Sequence, residues 1–517
     1  MSLGTDGSRP PFATVAVGVL AAIQLLAHLL VLPGYGLFRD ELYYLACADH
    51  LDWGYVDHPA FSIVLLWVIK TLFGTSVWAV RLLPALAVTA VVVLVALTTR
   101  RLGGDRIAQT LAATATLIAP TYLGRGHIYS MNVLALLLWA LVAWLLVRLL
   151  TADDAEHEGR LWWLLGLVLA VGLANKLDFL WLGAGLGVGL LFAERRRLKT
   201  RGPWIAGTVA MIGLAPYVLW QIAHDWPTRE FVHNASTDKM VEVSLGDFLT
   251  GQIDAMHLFT VPVTLAGLIF LFLPAGRRFR LLGWAFLTVA TILIVNGTSR
   301  AGYLTPAYTW IFPAGGVALE AVVTRWRQRW IAWVMVAVML AGGVLVAPFA
   351  LPILPIERFV AYAESLGATP STEEKKELAT LPQFYADMHG WRSIVDTVAE
   401  VVATLPADEQ RVVRVFAPDY GIAGAIDYFG PDRGLQPALS GHNNYWLWPP
   451  TGDEIPVMIV IGGSRAGLGT LFDQVELARE RLDCGYCMPY EDERPVWIAR
   501  GPKQPIAEVW PTLKHFD

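Results

Sequence analysis

Two short clusters near the start of the chain hold residue types that do chemistry. Asp40 and Glu41 lie in Gly34-Tyr35-Gly36-Leu37-Phe38-Arg39-Asp40-Glu41-Leu42-Tyr43-Tyr44, and Asp57 and His58 lie in Gly54-Tyr55-Val56-Asp57-His58-Pro59. A carboxylate within hydrogen-bond reach of a hydroxyl can take its proton. Asp40 and Glu41 are neighbours, so on a helix they cannot point the same way. The competing role for Asp40 is to cap a short helix that starts near Leu42. Asp57 and His58 are ligand types for a hard or borderline divalent ion. Asp before X-Pro also suits a plain turn. A third cluster, Cys484-Gly485-Tyr486-Cys487, has CxxC spacing, which serves metal, redox or a tight disulfide. No second Cys or His pair stands nearby to complete a zinc site, so a local disulfide or two free thiols is the favoured reading over metal.

The elements that must position these residues are apolar. Of 517 residues, 16% are charged and 55% hydrophobic, against the quarter charged of a soluble domain. Runs long enough to cross a bilayer recur, so the chain is expected to be a polytopic all-α membrane domain. The expected spans are Ala13–Leu32, Leu82–Thr99, Ile107–Leu123, Met131–Leu150, Leu161–Ala174, Leu177–Phe192, Trp204–Ile222, Leu258–Leu273, Leu281–Val295, Tyr303–Val323 and Ile331–Ala350, about eleven in all. The first run is too long for a signal-peptide core and is read as a retained helix. Basic clusters fall on alternate loops, which puts those loops and the N-terminus in the cytoplasm. The loops carrying Asp40, Asp57 and Arg300 then face outward. Phe61–Phe73 is too short to cross and would invert every later cluster, so it is expected to lie at the outer face. Trp226–Asp254 is a long outer loop and an expected lid. After Pro352 the composition turns mixed. Trp391–Thr404 reads as an amphipathic helix, and Val412–Phe416, Val457–Ile461 and Val496–Ala499 as short strands. Residues 1–352 are thus expected to form the transmembrane domain and 353–517 a small extracytoplasmic α/β domain. No basic patch with interleaved aromatics is present, so nucleic acid is not an expected partner.

The Phe38–Tyr44 and Gly54–Pro59 motifs resemble the first external loop of the dolichyl-phosphate-mannose protein mannosyltransferase-like superfamily, which includes the lipid A aminoarabinose transferases. Trp220-Gln221-Ile222-Ala223-His224-Asp225-Trp226-Pro227-Thr228 and Arg300 with Tyr303-Leu304-Thr305-Pro306-Ala307-Tyr308 are similar too. Ser440-Gly441-His442-Asn443-Asn444-Tyr445-Trp446 resembles the outer domain of bacterial members. The resemblance implies a GT-C fold and a glycosyltransferase that takes sugar from a polyprenyl-phosphate donor on the outer face of the cell membrane.

It also implies roles. Asp40 stands at the family's catalytic Asp. Donor or phosphate contacts are expected from Glu41, Arg300, Tyr303, Asn132 and Lys176, with Lys70, Arg81 and Arg125 as further cations. An Arg fork matches phosphate, whereas Lys70 and Arg81 suit headgroup anchoring better. Asp57, His58 and His257 are the expected ligands of a divalent metal ion. His58 replaces the Lys of the aminoarabinose enzymes, and Asn132 replaces an acid of theirs. Asn132 can hydrogen bond but cannot serve as a base. The expected partners are the polyprenyl-phosphate sugar, the bilayer and an envelope glycan, lipid or protein acceptor. The rival readings are a polyprenyl-sugar flippase, which predicts charged mid-helix residues and repeat symmetry, and an assembly protein without catalysis.

Overall fold

The computed structural model describes residues 10–152, 154–451 and 455–517. The expected cytoplasmic N-terminus falls on residues 1–9, outside the described residues. The chain runs through α1 (Thr14–Leu30), α2 (Arg39–Asp49), α3 (Phe61–Phe73), α4 (Val77–Arg101), α5 (Arg106–Leu117), α6 (Pro120–His127), α7 (Met131–Leu150), α8 (Ala155–Asn175), α9 (Asp178–Ala193), α10 (Gly202–Ala223), α11 (Pro227–Asn234), α12 (Leu245–Met256), α13 (Val261–Phe272), α14 (Arg280–Asn296), α15 (Tyr308–Arg325), α16 (Trp330–Val346) and α17 (Ile356–Ser365). Among the described residues, five helices are long and apolar enough to cross a membrane, or six if a bent pair is one span. These helices pack round a core of Leu, Val and Ala with Trp139 and Trp310 stacked inside it. Apolar side chains such as Val15, Leu30 and Val344 stay exposed on the outside of the bundle, as lipid-facing positions do.

Local chemistry explains where these helices break. The run expected as one span from Ile107 to Leu123 is two helices, because Pro120 disfavours the helical region for the residue before it, and Ala119 is extended at ψ 114°. The expected span at Leu258 is half of a bent pair: α12 and the stretch Leu258–Phe272 meet at 95°. His257 sits at that joint with φ +79°, in the left-handed region. α8 starts earlier than its apolar run suggests, since Asp154 caps it by accepting from the His157 N–H at 2.7 Å. α3 has 13 residues, buries Ser62, Ile63, Leu66 and Ile69, and exposes Trp67, Leu72 and Phe73.

Beyond Pro352 a four-stranded sheet forms in the order β1 (Arg414–Phe416), β2 (Val457–Ile461), β4 (Val496–Pro502), β3 (Phe472–Arg479). β1 and β2 are parallel and the other pairs antiparallel. β3 escapes the sequence reading because it is an edge strand whose exposed positions are Asp473, Gln474, Glu476, Leu477 and Arg479, mostly the polar and charged dress that edges carry. Alternate residues of β2 face opposite sides. Met458 and Val460 pack with Trp510. Ile459 and Ile461 pack under the helices Trp391–Ala403 and Tyr420–Phe429, in one core with Leu42 and Tyr43 of α2 and Ile63 and Leu66 of α3. The sheet portion and the α2–α3 stretch therefore share a single hydrophobic core. Cys484 and Cys487 form a disulfide, and Cys47 is a buried free thiol.

Candidate active site

α2 explains how two neighbouring acids part company. Its first residue is Arg39, so Asp40 and Glu41 both fall in the first turn. Glu41 reaches back and accepts from the Phe38 N–H at 2.8 Å, satisfying an orphan donor of the helix end. Asp40 therefore does not cap. It points into a cavity of about 880 Å³ lined by the membrane helices, the loops that join them and the segment beyond Pro352. One oxygen of Asp40 accepts from the Tyr420 hydroxyl at 3.0 Å, and Arg39 Nε lies 3.9 Å from the same oxygen. The side chain keeps 36% of its exposure, enough for a substrate to reach it.

Asp57 lines the same cavity. Its Oδ1 accepts from the Tyr43 hydroxyl at 3.0 Å and lies 3.5 Å from Asn444 Nδ2. His58 is fully buried behind it, ringed by Tyr44, Tyr55 and Tyr43. A carbonyl can only accept, so His58 Nδ1 must donate to Pro59 O at 2.9 Å. In the neutral ring Nε2 carries a lone pair; it has no hydrogen-bond partner and sits 3.8 Å from Asp57 Oδ1. An orphaned lone pair beside a carboxylate fits a cation, so Asp57 and His58 are the two residues here that could hold a divalent ion.

Also lining the cavity, Lys176 at the junction of α8 and α9 donates to Asn132 Oδ1 at 2.5 Å, lies 3.6 Å from Asp178, and stands over the Tyr303 ring at 5.2 Å. Arg125 donates to Gly302 O at 2.7 Å and also faces the cavity. Arg300 lines it too, but Glu374 at 3.0 Å and Glu373 at 3.4 Å already engage its guanidinium. Phe349, Phe359, Val360 and Phe384 make an apolar wall next to this polar end.

The structure thus brings Asp40, Asp57, Asn132, Lys176, Arg300 and Tyr303 to one cavity. Three expected site residues lie elsewhere. Glu41 is sealed against Arg81, with Nη2 at 2.6 Å, and accepts from the Tyr129 N–H at 2.8 Å, so it makes no contact with the cavity. Arg81 in turn is buried and donates to Leu32 O and Gly36 O, which corrects the headgroup-anchor expectation. His58 stands behind the cavity wall. His257 accepts from the Phe259 N–H at 3.1 Å at the α12–α13 joint and packs by Gly342 of α16, so it does not join Asp57 and His58. Its place at the start of an apolar run suggested a helix mouth; it stands instead at a 95° joint between two helices.

Several residues here carry no local signal in the sequence. Arg39 donates to the Tyr490 hydroxyl at 2.6 Å and lies 3.6 Å from Asp387 and 3.9 Å from Glu374. Burial pushes the Asp387 carboxyl up to about 7. Burial works the same way on Glu374, but Arg39, Lys239 and Arg300 outweigh it and hold that carboxyl at about 2. The expected lid, Trp226–Asp254, is largely helical, as α11, one wide turn and most of α12. It joins the sheet portion through Met240 paired with Glu374, which brings Lys239 and Met240 to the cavity. His442, His515 and Asp517 also approach one another closely enough to be considered as ligands. His442 Nδ1, however, accepts the Tyr420 N–H at 3.3 Å, so Nε2 holds the proton and donates to Asp517 Oδ1 at 3.0 Å. The arrangement fits a His–Asp pair better than a metal centre.

Residues 57–220 match the family model described as dolichyl-phosphate-mannose-protein mannosyltransferase. No curated protein sequence matches the chain. The fold is similar to the crystal structure of ArnT from Cupriavidus metallidurans bound to undecaprenyl phosphate, with TM-score 0.62, 16% identity, and 94% of this chain and 98% of that chain covered. The apo state of the same protein gives TM-score 0.60 at 15% identity, with 94% and 98% covered. The Archaeoglobus fulgidus oligosaccharyltransferase tethered with an acceptor peptide gives TM-score 0.51 at 12% identity, with 82% of this chain and 63% of that chain covered. In residues 57–220 by sequence and across its length by fold, the chain therefore resembles the GT-C membrane glycosyltransferases of the dolichyl-phosphate-mannose protein mannosyltransferase-like superfamily.

Proposed function

We propose that the protein is an integral membrane glycosyltransferase that moves one sugar from a polyprenyl-phosphate donor to a cell-envelope acceptor on the outer face of the membrane. The observation that carries this reading is the cavity that faces Asp40 with a cationic wall of Lys176, Arg125 and Arg300. Single displacement needs a base and leaving-group cations around one sugar, and this cavity is lined by both kinds of group. The acceptor hydroxyl gives its proton to Asp40 as its oxygen attacks the sugar carbon. The carbon–oxygen bond to phosphate breaks, and the electron pair leaves on the lipid phosphate. The sugar carbon inverts. Lys176 and Arg125 steady the leaving phosphate, because no carboxylate lies as close to either as Glu374 does to Arg300. Asn132 and Tyr303 bind next to them. Asp57 and His58 would hold a divalent ion, which supplies positive charge at the Asp57 edge of the cavity when bound. The apolar wall of Phe349, Phe359 and Phe384 suits a lipid chain.

The rest of the reading follows from this placement. Eleven spans, with α3 at the outer surface, put residues 353–517 outside the membrane. Mass spectrometry of envelope glycolipids, glycans and glycoproteins from cells lacking the protein tests the reading. One sugar modification should disappear and return with the wild-type chain, but not with Asp40→Asn. An unchanged envelope, or full restoration by D40N, would overturn it.

A further inference from the structure

The segment beyond Pro352 enters the site itself. Helix Tyr420–Phe429 lies against α2, the helix that carries Asp40, at a separation only glycine allows. A Cβ on Gly424 would stand 2.9 Å from the backbone carbon of Leu42, and one on Gly421 would stand 2.7 Å from Arg39 Cγ. Contacts that tight are sterically excluded, so the two glycines, three residues apart on one helix face, set the docking distance. The first residue of this helix is Tyr420, whose hydroxyl meets Asp40 Oδ1.

Tyr420 is held from several sides. Asp419 caps its helix by accepting from the Gly421 and Ile422 N–H groups, both at 3.0 Å. Its own N–H is taken by His442, which the hydrogen bond to Asp517 fixes in one tautomer. Its ring is wedged between Tyr43 at 4.6 Å and His442 at 4.9 Å. Among the described residues, nothing hydrogen-bonds the other oxygen of Asp40.

We infer that the outer domain is a working part of the active site: Tyr420 is a positioning residue that fixes one oxygen of Asp40 and leaves the other turned to the acceptor. The inference rests on the reading of Asp40 as the base. The Gly421–Gly424 contact with α2 is the mechanical link that keeps Tyr420 in place. A base carboxylate that is free to rotate loses the oriented lone pair that proton abstraction needs.

The test uses the full-length protein in detergent, with polyprenyl-phosphate sugar extracted from cells lacking it as the titrated donor. Tyr420→Phe keeps the ring and removes only the O–H. It should lower kcat tenfold or more while leaving the donor KM and the thermal midpoint near wild type. A role in packing alone would not split kcat from KM in this way. Gly424→Ala, which never touches the cavity, should lower kcat in the same sense by pushing the helix off α2. Full-rate transfer by Y420F beside an inactive Asp40→Asn overturns this inference and leaves the proposed function standing. Full-rate transfer by D40N itself strikes the proposed function instead.

Discussion

Glu41 Oε2 and Arg81 Nη2 lie 2.6 Å apart, with both side chains closed off from solvent. Consecutive helical residues point roughly 100° apart, so this pair commits the first turn of α2. Once Glu41 is turned inward to Arg81, Asp40 can only face the cavity. The ion pair is thus the device that aims the proposed base, although neither of its members touches the site. Arg81 also gathers two separated stretches of chain, the α1–α2 connection through Leu32 O and Gly36 O and the end of α6 through His127 Nε2.

Removing one partner of a buried ion pair leaves the other charge without compensation, at a cost of about 3–5 kcal/mol. Arg81→Met should therefore destabilise the protein by about that amount, read as a lower thermal midpoint in detergent. The paired change Arg81→Met with Glu41→Gln should recover part of the loss, because the remaining amide carries no charge. A single variant with an unchanged midpoint would show that the pair does not organise α2.

The cationic wall gives a second expectation. Resemblance favoured Arg300 as the phosphate residue, but Glu373 and Glu374 share its charge. Lys176 is bound to a neutral amide and stands farther from its one carboxylate. Lys176→Gln should weaken binding of undecaprenyl phosphate tenfold or more, and Arg300→Gln should weaken it less. Trp181 packs 5.9 Å from the Tyr303 ring and offers a fluorescence reporter for the titration. The reverse order of effects would restore Arg300 as the principal contact.

The membrane helices were legible because apolar runs announce themselves, and the Phe38–Tyr44 and Gly54–Pro59 motifs were legible because they are local. What stayed hidden depends on distance along the chain. Tyr420 meets Asp40 across 380 residues, and no local pattern marks a lone tyrosine for that purpose. Arg81 looked like a headgroup anchor because its partner, Glu41, lies 40 residues away. His257 looked like an outer ligand because a run of apolar residues does not reveal a 95° bend. The change in composition after Pro352 suggested a boundary, but no pattern announced the core that α2 and α3 share with the sheet across it. Interdigitation of Leu42 and Ile63 with Ile394 and Ile459 is a property of packing, not of pattern.

The acids around Arg39 give a pH signature with two separate windows. Asp387 has an ordinary value of 3.8 and is pushed by burial to about 7 in the folded protein. Between those values the folded state keeps a proton that the unfolded chain has released. Its contribution to stability is therefore full below about 4 and is lost as pH rises to about 7. Glu374 runs the other way: held at about 2 against an ordinary 4.5, its contribution is present above 4.5 and lost as pH falls towards 2. The windows barely overlap, so one variant separates them. Asp387→Asn cannot titrate. The thermal midpoint of the wild type should fall relative to that of D387N as pH is raised from 4.5 to 7, and the difference should level off above 7.5. Parallel curves through that range would mean that Asp387 ionises like an exposed acid, and that Arg39 stabilises the charged form as much as burial opposes it.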